Sequence, residues 1–119
     1  MKLLRHGNVG AEKPGLLDQN GAIRDLSEHI ADFDAQALSP AGLARLSALD
    51  PASLPLVPSN VRLGAPIPRP GKFIGIGLNY ADHAEEAGLP IPEQPIVFYK
   101  ASSCISGPND DILHPRGSD

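Results

Sequence analysis

The sequence has 119 residues, which is enough for one modest domain and too few for two large ones. Hydrophobic residues make up 41% and charged residues 20%, the balance of an ordinary soluble globular protein. The formal charge is −4 and no Lys/Arg cluster is interleaved with aromatic residues, so we expect no nucleic-acid partner.

The apolar runs are far shorter than the ~20 residues of a membrane-spanning helix. The first six residues turn polar too soon for a signal peptide, so we expect a cytoplasmic protein with no membrane partner. A single cysteine, Cys104, cannot form an internal disulfide, which agrees with a reducing compartment. We expect it to be a buried packing residue.

Thirteen prolines and twelve glycines indicate many turns, more than a helical bundle would tolerate. The predicted fold class is therefore mainly β with short helices (α+β). Only five residues are aromatic, so the chain looks short of the apolar area that a self-sufficient β core requires, and we expect it to be part of something larger.

The first half predicts a small N-terminal subdomain over residues 1–60. Its predicted strands are Lys2–His6, 16–18 and 22–26, with a turn-rich segment at 7–15 and a weak helix from Ser27 to Phe33. The Asn20-Gly21 pair predicts a tight hairpin turn with two positive-φ residues.

Ser39 followed by Pro40 predicts the start of a helix that runs up to Asp50. Six prolines between positions 51 and 70 then predict an extended connector, with 61–63 as its most strand-like part. This connector leads into the second predicted part, residues 61–119.

Residues 72–78 read as an apolar strand covered on both faces, in which Gly75 and Gly77 allow a backbone or a ligand to approach closely. Asn79 is the predicted cap of a short helix that stops at Gly88. A strand over 96–100, a turn at 107–110 and a last short strand at 111–113 complete the predicted elements.

The short helix carries the candidate chemistry. His83 and Glu86 lie three residues apart and therefore on one helical face, where the carboxylate can orient the imidazole and favour its protonated form. Such a pair can take a proton from water or from carbon, although surface helices also place His and Glu at this spacing for solvation alone.

Two further residues are candidates for substrate binding. Lys100, at the end of a predicted strand, can neutralise a substrate carboxylate, or it can simply lie along the strand as a solvated lysine. Tyr80 can line the pocket, or it can pack between helix and strand. Tyr80 occupies the place of the third glycine of a dinucleotide-binding fingerprint that would begin Gly75-x-Gly77, which argues against nicotinamide binding. No Gly-x-Ser-x-Gly elbow occurs, which argues against serine hydrolase chemistry.

The order of three segments is recognisable: residues 72–86 with their Asn-Tyr-x-x-His-x-x-Glu core, residues 95–100, and residues 107–115. Together they resemble the fumarylacetoacetate hydrolase family, and the opening hairpin around 12–18 is similar to small bacterial members of the ureidoglycolate lyase type. The resemblance implies a mixed β-roll catalytic domain, of which this chain is the N-terminal part, and a homodimer.

The resemblance also implies Mg²⁺ or Mn²⁺ held by a Glu-x-Glu pair and an Asp. This chain lacks that set, so the metal ligands are expected downstream of Asp119 and none is assigned here. The resemblance further implies that His83 is the general base, that Glu86 is its partner, and that the short helix carrying them acts as a lid.

The activity that the resemblance favours is ureidoglycolate lyase, which releases urea and glyoxylate from a small carboxylic acid substrate. Hydrolysis of an acylpyruvate such as fumarylpyruvate, or isomerisation or decarboxylation of 2-hydroxyhepta-2,4-diene-1,7-dioate, is the close alternative. A third reading, of another class, is a noncatalytic chain that associates with another subunit.

Overall fold

The computed structural model describes residues 1–118 and confirms a mainly β chain with short helices. The chain forms two compact units. One comprises Met1–Pro68 together with the segment from Ser106 onward, and the other is Arg69–Ile105. None of the helices in the described residues is long and apolar enough to cross a membrane. Two expectations stay predictions: that a small N-terminal subdomain ends at residue 60, and that the residues after it begin a catalytic β-roll domain.

The first unit is built on a four-stranded antiparallel sheet with the order β3-β2-β1-β4. Its strands are β1 (Lys2–His6), β2 (Lys13–Leu17), β3 (Ile23–Asp25) and β4 (Leu63–Gly64). The prediction for β2 was wrong at its start, because the strand begins three residues earlier and includes Pro14 and Gly15. Pairing of the whole of β1 with β2 outweighs the local turn preference of these two residues.

The hairpin between β2 and β3 differs from the predicted tight turn. Of its central pair, only Gly21 has a positive φ, and the connection is a five-residue loop, 18–22. The Asp18 carboxylate organises this loop by accepting hydrogen bonds of 2.9 Å from the backbone N–H groups of Asn20 and Ala22. Asp18 therefore forms the turn that the Asn-Gly pair was expected to form.

The core of this unit lies on one face of the sheet. Its buried cluster joins β2 to the chain that follows β3, and its members are Leu16, Leu26, Phe33, Leu46 and Leu54. The weak helix predicted from Ser27 to Phe33 is absent from the described residues, where this segment forms turns instead. Burial of Leu26 and Phe33 fixes the segment without a regular helix.

The helix α1 (Pro40–Ser47) begins where it was predicted to begin. The Ser39 side chain accepts a 3.1 Å hydrogen bond from the Gly42 N–H, which satisfies one of the free donors of the first turn. The helix stops at Ser47, short of the predicted Asp50, whose side chain instead caps a 3₁₀ turn over Pro51–Ser53.

Gly42 is buried in α1 because the chain before the helix passes very close to it. A Cβ atom at this position would clash with the backbone carbonyl oxygens of Gln36 and Ala37. Gly42→Ala is therefore expected to lower the free energy of unfolding by about 1–2 kcal/mol, since a steric cost of about 1–3 kcal/mol exceeds the gain in helix propensity. Urea denaturation measures the change.

The matched control for Gly42→Ala is Gly71→Ala, because a Cβ atom at residue 71 would meet nothing within 4 Å. Its effect on unfolding should stay within about 0.5 kcal/mol. A Gly42→Ala protein as stable as the control would contradict the close approach.

A chain of ion pairs joins the sheet to its flanking segments. The guanidinium of Arg5 donates hydrogen bonds of 2.9 Å to both carboxylate oxygens of Asp32 and lies 3.6 Å from Glu12. Arg62 in turn donates to both carboxylate oxygens of Asp110, at 2.7 and 2.6 Å, and to Glu12 at 2.9 Å. Glu12 is thus shared by two arginines.

This network holds the turn at 107–110 against the sheet. The Arg62 guanidinium, together with the Gly107 N–H, keeps the pKa of the Asp110 carboxyl below its usual range. Burial raises the pKa of Glu12, but hydrogen bonds from its own backbone N–H and from Arg62 outweigh it and lower the pKa overall.

The strand predicted for 111–113 is wrong, since these residues are exposed and extend past the network without pairing.

His6 is the buried histidine of the sheet. Its side chain is 6% exposed, and its Nε2 has no hydrogen-bond partner among the described residues, the nearest carboxylate oxygen being that of Asp25 at 3.9 Å. Burial lowers the pKa of His6 below its ordinary value, and the charge of Lys13 adds to this effect while that of Asp25 opposes it.

Because its folded pKa is lowered, His6 should make stability fall as the pH drops below the unfolded value near 6.5. As the pH falls, the unfolded chain takes up the proton on His6 before the folded chain does. The loss of stability therefore begins near pH 6.5 and is absent at higher pH. Urea unfolding at pH 7.5 and pH 5.5 measures it, and His6→Gln should flatten the dependence. An equal flattening by His29→Gln, at an exposed histidine, would contradict this origin.

Candidate functional site

The second unit consists of a two-stranded antiparallel ribbon and one short helix. Strand β5 (Phe73–Gly77) pairs with β6 (Ile96–Lys100), and α2 (Ala81–Glu86) follows β5 after a sharp turn. Gly75 lies opposite Phe98, whose ring occupies the space of a Cβ atom at residue 75. The expected close approach at this glycine is therefore made by an aromatic side chain.

The strand was expected to be covered on both faces, and in the described residues it is not. Ile74 is 47% exposed and Ile76 is 41% exposed, and all five residues of β6 are exposed. The apolar composition of residues 73–78 reflects a strand with an open face in this chain. Sequence alone cannot distinguish the two cases, because both give the same run of apolar residues.

The turn between β5 and α2 is set by Leu78, which has a φ of +48°. A left-handed conformation costs a residue with a Cβ atom roughly 1–2 kcal/mol, so the surrounding chain enforces it. The helix cap is Tyr80 and not Asn79, because the turn moves the first helical residue to position 81, and no side chain caps the helix. Gly88, with a φ of +66°, provides the expected left-handed stop.

His83 and Glu86 lie on one face of α2, as their spacing predicts. The distance from His83 Nδ1 to the nearer Glu86 carboxylate oxygen is 3.8 Å, which is longer than a hydrogen bond. The side chains are 59% and 85% exposed, so solvent screens their attraction.

The two candidate binding residues lie in different elements, Lys100 at the end of β6 and Tyr80 at the start of α2. The Lys100 ammonium stands 5.5 Å from the centre of the Phe73 ring and 5.8 Å from that of Phe98, so cation–π attraction draws it toward these two rings. Tyr80 is 71% exposed at the start of α2. Within residues 1–118 no hydrogen bond or ion pair joins the side chain of either residue to His83.

A shallow cavity of 240 Å³ lies beside the turn after β5. Its walls are the chain segments 76–79 and 91–95, and none of the four candidate residues lines it. The carboxylate of Glu93 is the charged group in its wall, so this cavity as it stands is poorly suited to an acidic substrate.

The described residues do not by themselves fit a divalent metal ion. Within residues 1–118, no three His, Cys, Asp or Glu side chains come together in a way that could hold one. Both carboxylate oxygens of Asp110 are already held by Arg62, and Asp119 lies outside the described residues. The expectation that ligands of Mg²⁺ or Mn²⁺ lie downstream of Asp119 therefore stays a prediction.

Cys104 was expected to be a packing residue, and this is wrong for the chain described here. It lies in the 3₁₀ turn Ser102–Cys104 after β6, with its side chain exposed. The general tendency of free cysteines to be buried does not apply where the strand before the turn is itself open to solvent.

Comparison with known proteins points to one family. Residues 72–119 match the family model described as Fumarylacetoacetate (FAA) hydrolase C-terminal. Relatives from Burkholderia ambifaria and Burkholderia multivorans are each 64% identical to this chain over 118 residues, and one from Burkholderia lata is 62% identical; the first carries the name "Putative hydrolase". The match covers 99% of this chain and 42% of each relative.

The chain therefore spans less than half the length of the curated relatives that it matches. Residues 72–119 are thus similar to the fumarylacetoacetate hydrolase family, and the name of the Burkholderia ambifaria relative describes that protein as a putative hydrolase. The region that matches the family model begins at Lys72. It therefore includes the ribbon, the turn at Leu78 and helix α2 with His83 and Glu86.

Proposed function

We propose that this chain is part of a fumarylacetoacetate hydrolase family enzyme that cleaves a C–N or C–C bond in a small oxo or hydroxy acid. The observation that carries the proposal is α2, which presents His83 and Glu86 on one exposed face directly after the left-handed turn at Leu78. A strained turn that aims a short helix is typical of a functional site.

In this proposal His83 moves the proton and Glu86 orients the imidazole. The favoured substrate is ureidoglycolate, from which His83 removes the hydroxyl proton. As the C–N bond breaks, the oxygen becomes the aldehyde oxygen of glyoxylate, and the imidazolium returns the proton to the departing urea nitrogen. The overall similarity of the sequence to ureidoglycolate lyases supports this substrate, and no substrate contact does.

The alternative reaction uses the same pair. With an acylpyruvate such as fumarylpyruvate, His83 takes a proton from a water molecule whose oxygen attacks the acyl carbonyl carbon. The C–C bond then breaks, the acyl group becomes a carboxylic acid, and the imidazolium returns the proton to the carbanion of the departing pyruvate. The hydrolase name of the Burkholderia ambifaria relative favours this alternative. In either reaction Lys100 is proposed to attract the substrate carboxylate and Tyr80 to line the pocket.

A noncatalytic role is the competing proposal for the isolated chain. The exposure of His83 and Glu86, 59% and 85%, favours it, because an active site normally excludes water around its proton-transfer groups. Cytoplasmic location, the Mg²⁺ or Mn²⁺ requirement and assembly into a homodimer are also proposals, supported by the sequence resemblance.

A hybrid enzyme tests the proposed function. In it this chain replaces the matched 118 residues of the Burkholderia ambifaria relative, and turnover of ureidoglycolate and fumarylpyruvate is measured with and without Mg²⁺. We expect turnover of ureidoglycolate. Activity only on fumarylpyruvate would select the alternative reaction, and a folded hybrid inactive on both acids, with an active relative as control, would favour the noncatalytic role.

A further inference from the structure

The Asn20-Gly21 pair has no part in the proposed site. Both residues are exposed, and they lie in the loop 18–22 between β2 and β3. An asparagine followed by glycine is a reactive dipeptide, because the side-chain carbonyl carbon is within reach of the next backbone nitrogen and glycine has no side chain to obstruct its attack. The pair is therefore a candidate for covalent modification of the folded protein.

The other asparagines show what distinguishes position 20. The sequence has five asparagines and all of them are exposed, so exposure does not single out Asn20. The residues that follow the other four are Val9, Val61, Tyr80 and Asp110. Each of these has a Cβ atom next to the nitrogen that would attack, and the two valines are also branched at that atom. The nitrogen of Gly21 is free of this obstruction.

The loop leaves room for the reaction. A Cβ atom at Gly21 would meet nothing within 4 Å, so the space beside its backbone is open. Its φ of +79° is a conformation that glycine adopts without strain and leaves easily. The Gly21 N–H donates a 3.1 Å hydrogen bond to the Asp18 carbonyl oxygen, and in an exposed turn such a bond opens far more often than the whole protein unfolds.

We propose that Asn20 is a site of spontaneous deamidation. The Gly21 nitrogen loses its proton to a base from solvent and attacks the side-chain carbonyl carbon of Asn20. As the new C–N bond closes a cyclic imide, the C–N bond of the carboxamide breaks, and its nitrogen takes up a proton and leaves as ammonia. Water then opens the imide at the side-chain carbonyl, which gives aspartate, or at the main-chain carbonyl, which gives isoaspartate. The net change consumes water and releases ammonia without oxidation or reduction.

Either product should loosen the loop. One carboxylate oxygen of Asp18 accepts 2.9 Å hydrogen bonds from the N–H groups of both Asn20 and Ala22. Isoaspartate adds a CH₂ group to the main chain between residues 20 and 21, so the two N–H groups should no longer converge on that oxygen. Aspartate keeps the main chain but adds a second negative charge two residues from Asp18, whose own charge is paired with Arg24 at 2.9 Å.

The test incubates the 119-residue chain at neutral and at alkaline pH and follows each asparagine by peptide mapping with fragment-ion mass spectra. Asn20 should convert about tenfold or more faster than Asn8 and Asn60, which are exposed and precede valine. The rate should rise with pH, because the attacking nitrogen must lose its proton. Val9→Gly, at a 76% exposed turn residue, is the matched variant and should speed the conversion of Asn8.

Conversion of Asn20 no faster than that of Asn8 and Asn60 would overturn the proposal. Leu26→Ala, which truncates the buried core, separates local opening from global unfolding. A rate at Asn20 that stays constant in this variant supports reaction in the folded protein, and a rate that rises with the unfolded population overturns it. In the modified protein, hydrogen exchange at the N–H groups of residues 20 and 22 should be about tenfold or more faster, and unchanged exchange would refute the effect on the loop. None of these results depends on the proposed reaction.

Discussion

His83→Ala is expected to lower kcat of the hybrid enzyme by about 10²–10⁴-fold, because proton transfer by a positioned side chain contributes that much. KM should change little, since His83 is proposed to act in proton transfer and Lys100 in binding. The measurement is steady-state turnover of the better of the two acids. Circular dichroism establishes that the variant is folded, which is expected because the side chain is 59% exposed.

Two adjacent glutamates provide a matched comparison for this prediction. Glu86 lies 3.8 Å from the imidazole, whereas within residues 1–118 no ion pair or hydrogen bond joins the side chain of Glu85 to that of His83. Glu86→Gln should lower kcat and change its pH profile, because the amide cannot stabilise an imidazolium, and Glu85→Gln should do neither. Loss of activity equal in the two variants, or a His83→Ala enzyme with normal kcat, would refute the assignment of the pair.

The elements that were predicted correctly depend on local signals. Ser39 and Pro40 set the start of α1, Gly88 ends the α2 segment, and the apolar run at 96–100 forms β6. In each case a residue's own conformational preference and its nearest neighbours decide the structure. Such signals are present in any single sequence.

The elements that were missed depend on partners far away along the chain. Pro14 and Gly15 lie within β2 because β1 pairs with them, and Asp110 is held by Arg62, 48 residues earlier. No spacing in the sequence connects Arg62 with Asp110 or either of them with Glu12.

The candidate site shows the same division. The i, i+3 spacing places His83 and Glu86 together on α2 whatever the surroundings are, so the sequence was sufficient for their relative position. It was not sufficient for the cap, because the left-handed conformation of Leu78 moves the helix start past Asn79. Their catalytic role stays a prediction until the hybrid is assayed.

Leu26→Ala is expected to lower the free energy of unfolding by about 2–5 kcal/mol, the largest effect on stability among these predictions. Leu26 is fully buried, with 0% exposure, in the cluster that includes Leu16 and Phe33. Truncation removes its apolar contacts and leaves a cavity. The cavity cannot readily collapse, because the Leu26 backbone is held by hydrogen bonds from its N–H to Pro14 and to its carbonyl from His29.

Urea denaturation of the 119-residue chain measures this loss, which is a large part of the stability of about 5–15 kcal/mol that is typical of a whole domain. Leu113→Ala is the matched control, because Leu113 is 85% exposed, and its effect should stay within about 0.5 kcal/mol. A Leu26→Ala protein as stable as this control would mean that the first unit does not derive its stability from this core. In that case the ion pairs of Arg5 and Arg62 would have to hold the sheet, although exposed or partly exposed pairs rarely contribute so much.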